Sequence, residues 1–157
     1  MKTISYGILA LVLAAVCGVS QTRSAEETGL SRPDRERLIG TWRLASIEGP
    51  DGKLLTTGVP TGMLIYTRDG HMSVQLMQPE SGAALTNDYF LNGYEASFGS
   101  YDLDEANHTI THHVQGSITH LLVGKDLPRG YHFNDDRNLI ITSTRAEEHW
   151  MAIWEHY

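Results

Sequence analysis

The chain has 157 residues, with 12 Lys plus Arg against 19 Asp plus Glu, one Cys and 41% hydrophobic residues. That is enough for one domain with a substantial core and short for two. A charged fraction of 20% with three Trp and seven Tyr excludes a disordered composition, and a formal charge of −7 argues against a nucleic-acid binder, which concentrates Lys and Arg on one face.

Lys2 and the apolar stretch Tyr6 to Val16 (YGILALVLAAV), followed by small residues, have the layout of a secretory signal peptide. The stretch falls short of the roughly 20 apolar residues that span a bilayer, so no stable membrane insertion is expected. Residues 1–24 form the signal and cleavage region, with the cut after Ser20 or after Ser24. Lipidation at Cys17 is disfavoured because Val16 is a poor residue immediately before it. The expected location is therefore secreted or periplasmic. Removing residues 1–20 takes away Lys2 and no acid, leaving 11 basic against 19 acidic residues, a charge of −8. Cys17 leaves with them, and with it any disulfide, thiol nucleophile or thiolate metal site. Residues 25–34 read as a flexible leader and 35–157 as the folded domain.

Ser31-Arg32-Pro33-Asp34 can open a short helical turn running to Leu38, with Ser31 as N-cap and Asp34 favoured by the dipole. A strand follows from Gly40 to Ile47, ended by Pro50-Asp51-Gly52. The clearest hairpin joins Gly62–Thr67 to His71–Gln78 through Arg68-Asp69-Gly70. Residues 79–93 (PESGAALTNDYFLNG) exceed an ordinary hairpin loop and suggest a lid, with one helical turn around Asp88 to Asn92.

Strands Tyr94–Asp102 and Thr109–Ser117 flank the turn 104–108. Pairing Asp104 with Thr109 sets Leu103 opposite Ile110, Tyr101 opposite His112 and Gly99 opposite Val114. These residues form a mainly apolar face, while Asp102, Ser100, Thr111, His113 and Gln115 form a wet one. Strands at Arg129–Phe133, Asn138–Ser143 and Glu148–Glu155 complete seven or eight, with Glu147-Glu148 as a solvated turn. The fold expected is an up-and-down antiparallel β-barrel of about eight strands with a short N-terminal helical turn.

Gly40-Thr41-Trp42 after a helical turn resembles the GxW opening of lipocalin-type barrels. Further segments resemble a bacterial and fungal lipocalin-like domain family: Leu38–Leu44; Leu64–Thr67 with Asp69-Gly70 and Met72–Met77; Phe98–Tyr101; and Thr111–Val114 with Gly116-Ser117. They cover most of residues 38–124. The resemblance implies the barrel fold and matches Arg129 to the family's late-barrel Arg and Trp154-Glu155 to its final strand. His156 stands where the family has Arg, which leaves open what closes over the Trp at the barrel floor.

Candidate chemistry follows from the strand faces. Tyr101 and His112 form a pocket pair able to position or protonate a ligand oxygen, or else a structural cross-strand bond. His113 takes the place of His112 if the register slips by one. Tyr66 and Gln75 face either a polar part of the cavity or the exterior. Arg129 either clamps a ligand carboxylate or covers Trp42 by cation–π stacking. His112 and His113 point to opposite faces and cannot share an ion, so no metal site is read, and no cofactor motif is present. Ser73 and Ser117 lack a nucleophile elbow, and Asn107-His108-Thr109 is a glycosylation sequon on a turn. The function expected is an exported carrier or sensor of a small hydrophobic molecule. An isomerase or cyclase using Tyr101 and His112 as proton-transfer groups is the alternative, and a structural or partner-binding domain the third.

Overall fold

The structure is a computed structural model that describes residues 33–54, 58, 60–79, 86–134 and 137–157. Within them lie a five-residue helix α1 (Asp34–Leu38) and eight strands: β1 (Gly40–Glu48), β2 (Thr61–Tyr66), β3 (His71–Met77), β4 (Tyr94–Asp104), β5 (Thr109–Ser117), β6 (Asp126–Phe133), β7 (Asn138–Ser143) and β8 (Met151–His156). A 3-10 turn at His120–Leu122 follows β5. Each strand pairs antiparallel with the next and β8 returns to β1, so the sheet closes as a barrel without edges.

Alternation along each strand decides what faces inward. In β3, Met72, Val74 and Leu76 are buried while His71, Gln75 and Met77 are exposed. In β1 the inward set Trp42 and Leu44 continues at Ile47, because the pairing with β8 shifts between Leu44 and Ser46 and the extra residue reverses the phase. A second irregularity falls between Phe98 and Gly99. There Gly99 has no Cβ because one would collide with the backbone carbonyl of His113.

The end of the barrel carrying α1 is filled. Trp42 is fully buried, and its indole N–H donates to the Leu38 carbonyl at 2.9 Å. His156 meets the Trp42 ring edge-on at 4.7 Å, with Phe133 at 6.2 Å and the Arg37 guanidinium 4.1 Å over Phe133. Gly40 is required here because a Cβ would strike the His156 ring. The residue that closes over Trp42 is thus His156. Arg129 stacks elsewhere, on Tyr89 at 5.1 Å and Trp150 at 5.0 Å.

Several local expectations change. The N-cap of α1 is Pro33 without a side-chain cap bond; Ser31, the leader up to residue 32 and the signal region lie outside the described residues. No helical turn forms at 88–92, because Asn87 Oδ1 accepts the backbone N–H groups of Tyr89 and Phe90, both at 2.8 Å, and holds a side-chain turn instead. Of the 79–93 segment, residues 80–85 lie outside the described residues.

Candidate functional site

The opposite end of the barrel holds a cavity of about 470 Å³. Its walls are apolar, from Leu64, Val74, Leu76, Leu127, Ile141 and Trp154, and its mouth is covered by Tyr89, Phe90 and Trp150. Such a volume suits one small organic molecule.

His112 reaches this cavity from β5. Its Nε2 lies 2.7 Å from the Tyr66 hydroxyl, and both side chains are buried. Burial, with the nearby Arg129 charge, pushes the His112 pKa down to about 3, so the ring is neutral. Burial likewise raises the Tyr66 phenol, which keeps its proton. If Tyr66 donates to Nε2, the proton of the imidazole sits on Nδ1, which has no partner among the described residues. The opposite assignment would leave the phenol hydrogen unsatisfied in the core, so the first is favoured. His112 therefore offers an N–H donor to a bound molecule.

Tyr101 pairs with His112 in the register expected from the turn at 104–108. It does not line the cavity, however, because its hydroxyl donates to the Thr67 carbonyl at 2.9 Å and its ring packs edge-on against Tyr66 at 4.9 Å. The imidazole's side-chain partner is thus Tyr66, which acts from behind His112 without lining the cavity itself.

Arg129 lines the mouth. Its Nη1 is enclosed 3.8 Å from Glu148 Oε2, and its guanidinium lies against Tyr89 and Trp150. Glu148, expected in a solvated turn, is instead the hub of the mouth. It accepts bonds from Tyr89 at 2.9 Å, Ser143 at 2.6 Å, Trp150 at 3.2 Å and Arg145 at 3.0 Å. Burial alone would raise its pKa, but these donors and the Arg129 charge outweigh it and hold the carboxylate below its usual range. The Tyr89–Glu148 bond links the segment after β3 to the loop before β8 across the opening.

Glu95 is the cavity residue that sequence reasoning missed. It projects inward from β4, and burial lifts its carboxyl to about 7, against a smaller lowering by Arg129. Its signal was present: stepping by two from Leu103 and Tyr101 along the apolar face leads through Gly99 and Ser97 to Glu95.

Two other expected site residues sit outside the barrel. Gln75 is an exposed residue of β3, on the face opposite Val74 and Leu76. The His113 ring bridges Asp126 at 2.7 Å and Asp102 at 3.0 Å on the outer surface, and those carboxylates raise its pKa. Alternation along β5 forces this placement once His112 points inward. Of the residues first considered, the cavity thus brings together His112 and Arg129 and leaves Tyr66, Tyr101, Gln75 and His113 outside its lining.

Residues 39–156 match the lipocalin-like domain family. The chain belongs to that family. Among curated proteins none matches this lipocalin-like chain. Among solved structures it is similar to a redesigned β-barrel, with a TM-score of 0.46 and 10% identity over 78% of this chain and 94% of that one. No described helix of the lipocalin-like domain is long and apolar enough to cross a membrane.

Proposed function

We propose that the protein is an exported carrier or sensor that holds a small hydrophobic molecule in its barrel. The observation that carries this reading is the cavity of about 470 Å³, walled by aliphatic side chains and capped by aromatic ones. Burying an apolar ligand there removes its surface from water at roughly 25 cal/mol per Å². His112 would supply one directional hydrogen bond. The carrier reading is preferred over an isomerase or cyclase acting through Tyr101 and His112 because the Tyr101 hydroxyl donates to the Thr67 carbonyl and does not line the cavity.

Trp150 and Trp154 line the cavity, so a ligand entering it should change tryptophan emission. Titration with the neutral probe N-phenyl-1-naphthylamine, together with native mass spectrometry of protein purified from its own host, tests the reading. Saturable one-to-one binding and a retained small molecule are expected. A protein that binds neither refutes it. Export rests on the N-terminal layout, and the intact mass of the secreted form should correspond to a start after Ser20 or Ser24.

A further inference from the structure

We infer that the ligand is an apolar molecule bearing a hydrogen-bond-accepting oxygen, a carbonyl or a carboxylate, which the N–H donors of Arg129 and Trp154 hold in the cavity. The inference rests on the ligand-binding reading above and goes beyond it by naming the ligand's polar group.

Arg129 and Trp154 both line the cavity, and they are only 5% and 3% exposed. Arg129 Nη1 and Trp154 Nε1 are buried, and neither makes a hydrogen bond among the described residues. Protein interiors seldom leave such groups unpaired, and both are donors with no capacity to accept. The partner missing from each is therefore an acceptor, and the cavity that both residues line is where one can enter.

The carboxylates of the described lining do not fill these positions. Glu148 Oε2 lies 3.8 Å from Arg129 Nη1, beyond hydrogen-bond distance, and the Glu148 oxygens already accept from Tyr89, Ser143, Trp150 and Arg145. Asp88 is exposed and Glu95 only half-buried, and neither accepts from Nη1 or Nε1. An oxygen on the ligand would gain a charge-assisted bond from Arg129. The two donors stand at different depths. On the intervening strand β7, Arg129 pairs with Ser143 and Trp154 with Leu139, a separation of about 13 Å along the strand. Arg129 belongs to the mouth and Trp154 to the filled end, so a ligand with one oxygen uses one donor and a ligand with oxygens at both depths uses two.

The test is displacement of N-phenyl-1-naphthylamine by decanoate, decan-2-one and decylamine, which share one chain length and differ in the head. Decylamine is protonated at neutral pH and is a donor only. With the wild-type protein, the better of the two acceptors should displace the probe at a concentration at least about tenfold below decylamine. The formal charge of −7 favours the cation, so overall charge does not produce this ranking. A lead for decanoate marks a charged head and a lead for decan-2-one a neutral one, and either supports the inference. Arg129→Met removes the guanidinium, and Trp154→Phe keeps an aromatic ring without its N–H. The acceptor advantage should fall by at least about threefold in one or both. Decylamine matching the better acceptor on wild type overturns the inference, as does an advantage unchanged in both variants. The wild-type series stands even if a variant does not fold. Absence of probe binding to folded wild type would overturn the ligand-binding reading, and this inference with it, whereas binding without head-group preference overturns the inference alone.

Discussion

The Tyr66 hydroxyl and His112 Nε2 lie 2.7 Å apart in the barrel interior, joining β2 to β5 although these strands are not neighbours in the sheet. The bond holds one tautomer of the imidazole, whose ring lines the cavity. Tyr66→Phe should cost about 1 to 3 kcal/mol, the penalty for leaving a buried polar partner unsatisfied. His112→Ala should weaken probe binding by about one hydrogen bond, roughly fivefold, with the barrel still folded. His113→Ala should leave binding unchanged, because that ring sits between Asp102 and Asp126 outside the barrel. Chemical denaturation and probe titration of the three variants check this. Loss of binding in His113→Ala alone would place the pocket on the other face of β5.

Glu95 and His112, two titrating groups of the cavity, should oppose each other in the pH dependence of stability. Burial raises Glu95 from 4.5 to about 7. The folded protein keeps a proton there that the unfolded chain has released, so stability present below pH 4.5 is lost as pH rises through 7. His112 falls from 6.5 to about 3, so its contribution is present above pH 6.5 and is lost as pH falls towards 3. Each slope is about 1.4 kcal/mol per pH unit, and between pH 4.5 and 6.5 the two cancel. Glu95→Gln removes one of them. Relative to wild type it should gain about 3 kcal/mol between pH 4.5 and 7, measured by urea denaturation across that range. Parallel curves for the two proteins would show that Glu95 is solvated.

The mouth is fastened by Glu148. Tyr89→Phe removes the bond at 2.9 Å while keeping the ring over Arg129. Losing about 1 kcal/mol from the closed state should raise probe dissociation roughly fivefold, with little change in unfolding midpoint. Stopped-flow release of the probe measures it, and an unchanged rate would mean that the segment bearing Tyr89 does not open for exchange.

At the filled end, Trp42→Ala deletes a fully buried indole and its bond to Leu38. A loss of about 3 to 5 kcal/mol is expected in denaturant unfolding. A loss below about 1 kcal/mol would be at odds with a fully buried indole.

The sequence by itself determined the strands, their order and the pairing around His112. Alternation within β3, β4 and β5, and the turn at 104–108, are local signals, and local backbone geometry is enough to convert them into register. The GxW opening likewise follows from Gly40 and Trp42 alone. What each inward side chain does was decided only when the barrel closed. Tyr101 and Tyr66 both project inward, yet Tyr66 meets His112 and Tyr101 meets the Thr67 carbonyl, because closure brings non-neighbouring strands within hydrogen-bond reach. Arg129 read as a carboxylate clamp or a cover for Trp42, and Glu148 as a solvated turn, whereas in the folded protein both sit at the mouth beside Tyr89. Glu95 lay on a legible face, but only the cavity shows that its carboxyl has no protein partner among the described residues, since the surroundings of a side chain are set by contacts distant in sequence.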